Sequence, residues 1–486
     1  MNELDTKDML DLAALVREGE LSPVELLDDR LAALRERNPA LNAVVVEMEA
    51  EARATIAAGL PDGPFTGVPF LLKDIRALYA GVPTTAGSRY FRDNVPDHDS
   101  ELVARLKRAG LVIFGKTNTP EFACCPSTEG ALFGPTRNPW DPSLSAGGSS
   151  GGAAAAVAAR IVPGAHGSDG GGSIRIPASC CGVFGLKPTR GRNPSGPDYG
   201  EAWSGLSVEH ALTVSVRDSA ALLDATAGPA AGDPYWAPPV ARPYLEEVGA
   251  PVERLRVAVQ RVPASGAPVH DECLASLDDA AALLADLGHD VAEDAPVYDA
   301  ARIGPAYPVI IAANVQAALD QHAELTGRPP EEGELEHVIG LLAADGHVKT
   351  AADMVRATWA MHATGRSVAP FFERYDVLLS PVVATPPPPL GVLDTQTTDV
   401  AAYLRAVFEF IPFTALSNIA GIPSMAVPLR WSDAGLPIGV QLVAGLGRED
   451  VLFRLAAQLE EARPWSKRLP ALVAPQPTTT EPPATP

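Results

Sequence analysis

Three side chains in this sequence are framed and spaced for acyl transfer. Lys73 ends the apolar stretch Val68-Pro69-Phe70-Leu71-Leu72, Ser149 lies in Gly147-Gly148-Ser149-Ser150-Gly151-Gly152, and Ser173 follows Gly170-Gly171-Gly172. Glycine accepts positive φ angles, so a glycine run before a serine can turn backbone N–H groups inward around a negative oxygen. A hydroxyl ending such a run can attack a carbonyl carbon while the glycine amides stabilise the alkoxide that forms. In other enzymes donors of this kind are worth ~3–4 kcal/mol each. The attacking hydroxyl needs a base, and Lys73 is the candidate because desolvation at the end of an apolar run strips its proton. Lowering a lysine pKa from ~10.4 to near 7 costs about 4–5 kcal/mol, which burial can supply. Ser149, on a glycine loop, would relay the proton between Lys73 and Ser173. Either loop alone is equally a tight turn; both together with Lys73 point to chemistry.

Other patterns near these residues have simpler explanations. Gly110-Leu111-Val112-Ile113-Phe114-Gly115-Lys116-Thr117 matches a phosphate-binding loop, but its four large apolar residues belong in a buried strand. Gly147-Gly148-Ser149-Ser150-Gly151 matches the nucleophile elbow of Ser-His-Asp hydrolases, yet the residues before it, Asp141 to Ala146, read as loop where that elbow needs a strand. His166 could act in catalysis by position, although a structural histidine is the simpler reading. Asp169 could be a general base, but orienting the Gly170–Ser173 turn through backbone N–H groups explains it better. The histidines show no metal-ligand spacing, so no metal is expected.

The elements that must position these groups alternate along the chain. Ser22-Pro23-Val24-Glu25 is a capping box opening a helix through about Arg37, stopped before Pro39. Val68 to Leu72 predicts a short buried strand delivering Lys73. A helix near Ser100–Arg108, a strand over Leu111–Phe114 and an alanine-rich helix over Ala153–Arg160 follow. Such alternation predicts an α/β fold with a largely parallel or mixed sheet. Residues 228–263 turn rich in Pro and Gly, marking a boundary or crossover. Strands are expected at Arg256–Val259, Asp376–Pro381, Met425–Pro428 and Ile438–Leu442, and helices at Glu272–Leu287 and Glu449–Ala462. Residues 300–375 read as mainly helical, part of a more variable region over about 265–375. One domain is expected over 1–472, followed by a disordered Pro/Thr-rich tail over 473–486.

Composition narrows the function classes. The net charge of −22 argues against a nucleic-acid partner, which would require a basic surface. No apolar run reaches the ~18 residues of a membrane span. The start, Met1-Asn2-Glu3-Leu4-Asp5, lacks a basic-then-apolar signal pattern. The five cysteines are an odd number with two adjacent pairs, Cys124-Cys125 and Cys180-Cys181, which is no disulfide framework. Reduced thiols in a cytoplasmic protein are expected.

With these residues in view, the chain resembles the amidase signature family of Ser-cisSer-Lys hydrolases. The resemblance runs from Gly67-Val68-Pro69-Phe70-Leu71-Leu72-Lys73-Asp74 through Gly115-Lys116-Thr117-Asn118, Asn138-Pro139-Trp140, both serine loops and Gly185-Leu186-Lys187-Pro188-Thr189. It resumes at Gly421-Ile422-Pro423-Ser424 and Gly435-Leu436-Pro437-Ile438-Gly439-Val440-Gln441, while about 190–375 is matched loosely. Within the family the chain is most similar to bacterial amidases of the 6-aminohexanoate cyclic-dimer hydrolase type. The resemblance implies a mixed β-sheet sandwiched between helices on both faces, and no cofactor. It implies Ser173 as nucleophile, Ser149 as a bridging serine after a cis peptide bond, and Lys73 as base. Gly170, Gly171, Gly172 and Ser173 would supply the oxyanion N–H groups, with Ser150, Asp169 and Arg175 in support. Two departures stand out: Cys124-Cys125-Pro126 replaces a glycine turn near the acyl pocket, and Gly170 replaces a common threonine. Cys125, Pro126 and Phe133 are therefore pocket candidates, with Phe122 and Leu132 as apolar neighbours. The expected substrates are small or xenobiotic amides, with esters or carbamates (urethanes) possible, acted on by a monomer or homodimer. The alternative is the ammonia-releasing component of a tRNA-dependent amidotransferase, its A chain, which would draw ammonia from glutamine for partner chains.

Overall fold

The computed structural model describes residues 3–473; the expected tail beyond Val473 lies outside them. The strands are β1 (Val44–Glu47), β2 (Pro69–Lys73), β3 (Val112–Thr117), β4 (Gly164–Asp169), β5 (Phe184–Lys187), β6 (Val208–Thr213), β7 (Arg256–Val259), β8 (Asp290–Glu293), β9 (Val377–Pro381), β10 (Ser424–Trp431) and β11 (Pro437–Ala444). They form one sheet in the order β1-β3-β2-β4-β6-β5-β10-β11-β9-β7-β8. The sheet is mixed: β2 runs parallel to β3 and β4, and β7 parallel to β8 and β9, while β4, β5 and β10 pair antiparallel with their other neighbours.

The sheet is covered on both faces because alternate strand residues point to opposite sides. In β2, Leu71 joins one apolar cluster with Leu27 and Leu31 of the helix Pro23–Leu41, whereas Phe70 and Leu72 join another with Leu102 and Val103. In β10, Ala426 faces the first cluster and Met425 and Val427 face a third, shared with the helices Asp271–Asp286 and Glu449–Ala462. The Pro/Gly-rich stretch carries the chain back into the same sheet through β7.

Several elements begin or end away from the sequence reading. The helix opened by Ser22 runs to Leu41, through Pro39. Proline removes one N–H but tolerates the last turn, where Asn42 at φ 52° closes the helix by donating its N–H to Asn38 O. The alanine-rich helix starts earlier, at Gly151, and is buried from end to end. Its small residues allow that: a Cβ on Gly152 would sit 2.4 Å from Asn118 N. The matched phosphate-loop pattern is β3, and Lys116 Nζ donates to Pro83 O and Thr84 Oγ1. Residues 300–375 hold the helices Ala300–Thr326, His337–Val348 and Ala351–Val368. Among the described residues, no helix is long and apolar enough to cross a membrane.

Candidate active site

Parallel β2 and β4 pair through Leu71 and Ala165, so their carboxyl ends open at the same place. Ligands of open α/β sheets bind at such ends. Lys73 is the last residue of β2, and Ser168 and Asp169 are the last two of β4. Lys73 Nζ lies 2.7 Å from Ser149 Oγ and 3.0 Å from Ser168 Oγ. Lys73 and Ser149 are fully buried, and Ser173 is half-buried. Burial drives the Lys73 ammonium down to about 7, opposed by the negative charges of Glu209 and Asp169 and helped by Arg76. A large fraction of this amine is therefore neutral at neutral pH and able to accept a proton.

The Gly148–Ser149 peptide bond is cis, as the resemblance implies. Gly148 is required there by close approach, since an added Cβ would fall 2.7 Å from the Ser127 backbone. Gly148→Ala is expected to destabilise the protein by about 1–3 kcal/mol, the usual penalty of overpacking, read as a lowered urea midpoint. Ser150 ties the two serine loops together: its N–H donates to Ser173 O at 3.1 Å, and its Oγ bonds the Ser168 backbone.

Asp169 organises the triple-glycine turn. It accepts from Gly172 N at 2.8 Å and Ile174 N at 3.2 Å, and it pairs with Arg175 through both carboxylate oxygens. Burial works to raise the carboxyl, but Arg175, Lys187 and Asn418 hold it well below the usual range. It stays ionised, which suits an anchor and not a base. The bond to Asp169 also corrects the expected oxyanion set: the Gly172 N–H is already committed, leaving those of Gly170, Gly171 and Ser173. Only Gly172 of the three glycines has positive φ, at +132°. A Cβ added at Gly170 or Gly171 would meet the Trp203 ring at 2.9 Å or the Tyr307 hydroxyl at 2.4 Å, so those side chains would have to shift.

Tyr307 and Thr414 were invisible in the sequence reading. The Tyr307 hydroxyl donates to Gly170 O at 2.8 Å, and the Thr414 hydroxyl to Gly171 O at 2.5 Å. These two bonds fix the peptide planes that carry the Gly171 and Gly172 N–H groups. His166 supports the base: its Nδ1 accepts the Lys73 N–H at 3.2 Å, and its Nε2 lies 2.7 Å from Glu209 Oε2. With Nδ1 an acceptor, Nε2 carries the proton and donates to Glu209. His166 is thus a structural residue that holds β2 in place beneath Lys73.

Ser149 and Ser173 open on a small cavity whose wall includes Ser168, Arg76, Phe122 and Trp203. Of the expected pocket residues, Phe122 lies on it, whereas Cys125, Pro126 and Phe133 do not. Cys125 is buried in the core with its Sγ donating to Leu393 O, Pro126 is buried beside it, and the Phe133 carbonyl accepts from Asn42 Nδ2. The turn at Cys124 brings Phe122 and Ala123 inward in their place. All five cysteines are unpaired, and burial pushes Cys125 and Cys273 up to about 12.

The chain belongs to the amidase family: its model, Amidase, matches residues 25–453. The chain is an amide-hydrolysing enzyme. It is 38% identical over 489 residues, covering 98% of this chain and 99% of the relative, to the 6-aminohexanoate-cyclic-dimer hydrolase of Paenarthrobacter ureafaciens. The structure of a 6-aminohexanoate cyclic dimer hydrolase complexed with substrate superposes with a TM-score of 0.91 at 37% identity, covering 97% of this chain and 100% of that one. A bacterial aryl acylamidase of the amidase signature family superposes at 0.87 with 27% identity, covering 96% and 98%. The A component of the Thermotoga maritima glutamyl-tRNA(Gln) amidotransferase is more distant, at 0.77 with 28% identity, covering 98% and 100%.

Proposed function

We propose that this amidase cleaves small linear or cyclic amides through an acyl-enzyme on Ser173. The observation that carries the reading is a buried lysine, its pKa near 7, 2.7 Å from a serine that shares a cavity with Ser173. Ser173 Oγ bonds to the carbonyl carbon as its proton passes to Ser149 and the Ser149 proton to Lys73 Nζ. The N–H groups of Gly170, Gly171 and Ser173 stabilise the oxyanion. Collapse of the tetrahedral adduct breaks the C–N bond, and the leaving nitrogen takes a proton back along the same route. Water then attacks the ester, surrenders its proton to the relay and releases the carboxylic acid, restoring Ser173. Esters and carbamates pass through the same tetrahedral step and fall within the same chemistry.

The reading is tested by giving the purified chain a panel of anilides, linear and cyclic amides, nitrophenyl esters, aryl carbamates and glutamine. Hydrolysis of an aryl or alkyl amide with glutamine left intact is expected; turnover of glutamine alone would transfer the assignment to the ammonia-releasing role. Tyr307→Phe provides a finer test, because the phenol positions the oxyanion peptide without touching substrate. Removing one such hydrogen bond should lower kcat about 2- to 10-fold with KM little changed. An unaltered kcat would show that the Gly170 carbonyl needs no anchor.

A further inference from the structure

Two arginines border the site and are satisfied in opposite ways. Arg175 uses all five of its N–H donors: two bonds to Asp169 and one each to Thr414 O, Gln441 Oε1 and Asn418 Oδ1. Arg76 makes no such bonds. Its Nη1 is shut off from solvent without a hydrogen-bond partner, and among the described residues it has no ion pair. Burial depresses its pKa against the pull of the Glu209 charge, but Glu209 makes no ion pair with it and spends its Oε2 on His166. Arg76 as a whole is half-buried, and a guanidinium nitrogen shut off from water with no acceptor is costly unless a bound group supplies one.

The position of Arg76 indicates where that acceptor comes from. Arg76 lines the same cavity as Ser149 and Ser173, with its Cζ over the ring of Trp203, 5.9 Å from its centre. Its backbone is left-handed, at φ 60°. Among the described residues eight non-glycine residues have positive φ, and four of them, Arg76, Phe122, Ala123 and Trp203, line this cavity. Side-chain-bearing residues enter that region only where the surrounding fold compels them, and such residues cluster at ligand sites. The fold thus holds the guanidinium at the cavity wall against both its solvation and its backbone preference.

We propose that Arg76 receives a carboxylate carried by the substrate, so that the preferred amides bear an anionic group a few bonds from the scissile carbonyl. The planar fork of a guanidinium matches the two oxygens of a carboxylate. Arg76 shares its cavity with both serines, so only a short linker would separate that group from the carbonyl. This proposal rests on the hydrolytic reading above, and its test separates the two.

The test compares two substrate pairs, glutaryl against pentanoyl 4-nitroanilide, and 4-acetamidobenzoate against 4-methylacetanilide. The wild type should favour the carboxylate member of at least one pair by about tenfold in kcat/KM, chiefly through KM, as a charge-assisted bond predicts. Arg76→Met should bring that ratio to about one, and Arg76→Lys should keep part of it. Absence of a preference in both pairs, or a preference that survives Arg76→Met, overturns the proposal. A readout independent of turnover is calorimetric titration of the Ser173→Ala protein with glutarate, repeated after adding Arg76→Met or, should that variant not fold, Arg76→Gln. Binding lost with the arginine supports the assignment even if no amide is cleaved, in which case the hydrolytic reading alone fails. No binding, or equal binding with and without Arg76, overturns it.

Discussion

Ser173→Ala should reduce amide hydrolysis by about 10⁴- to 10⁶-fold, the scale seen when a serine nucleophile is removed elsewhere. Ser173 is half-buried, and its carbonyl, which accepts from Ser150 N, is unaffected by the substitution. The thermal transition should therefore stay within a few degrees of the wild type, because the change removes one hydroxyl from a partly solvated cavity wall. Burst kinetics with a nitrophenyl ester give a second readout: the wild type should release one equivalent of nitrophenol per active site, and Ser173→Ala none. A variant that keeps more than about one per cent of wild-type turnover would remove Ser173 from the nucleophile's role.

Lys73 carries the second large effect, expressed in both rate and stability. Its side chain titrates at about 7 in the folded protein, first through burial, with Glu209, Asp169 and Cys124 opposing and Arg76 assisting. If its neutral form is the base, kcat/KM should rise about tenfold per pH unit below 7 and level off above it. Lys73→Ala should abolish that limb together with most of the activity; a flat profile in the wild type between about pH 5 and 8 would exclude lysine as the base. Stability follows with a definite sign. Between about 7 and the unfolded value near 10.5, the unfolded chain holds a proton at Lys73 that the folded chain lacks. Wild-type stability, relative to a Lys73→Met variant, should therefore climb with pH across that window at about 1.4 kcal/mol per unit, and be flat below it. Urea melts of both proteins at pH 6, 7, 8 and 9 measure the difference, and a constant gap would show that burial leaves this amine's proton affinity alone.

The groups proposed for chemistry were legible because each is announced locally. Lys73 closes an apolar run that can only be a buried strand, and both serines sit in glycine runs whose composition has few other uses. The wall around them was not legible. Trp203 on that wall, and Tyr307 and Thr414 behind the triple-glycine turn, come from three distant segments, and no local pattern distinguishes a tyrosine that braces a loop from one that packs in a helix. Tyr307 lies between Pro305 and Pro308 in the helix Ala300–Thr326, within the region that read as mainly helical and more variable. The pocket candidates failed for a similar reason. Cys125 and Phe133 are close in sequence to Phe122, but left-handed backbone at Phe122 and Ala123 reverses the chain there, so the neighbours diverge. Gly172 shows the limit of reasoning from a glycine run: its freedom is used, yet its N–H serves Asp169.

The union of Tyr307 with the Gly170 carbonyl joins two parts of the chain that are held in different ways. The strand ends holding Lys73 and Ser168 are set by the sheet, where a shift would disturb the entire core. The helix bearing Tyr307 packs chiefly on the two helices that follow it and reaches the turn after β4 through that hydroxyl. A change in how this helix sits would therefore be felt at the triple-glycine turn while the strand ends keep their places.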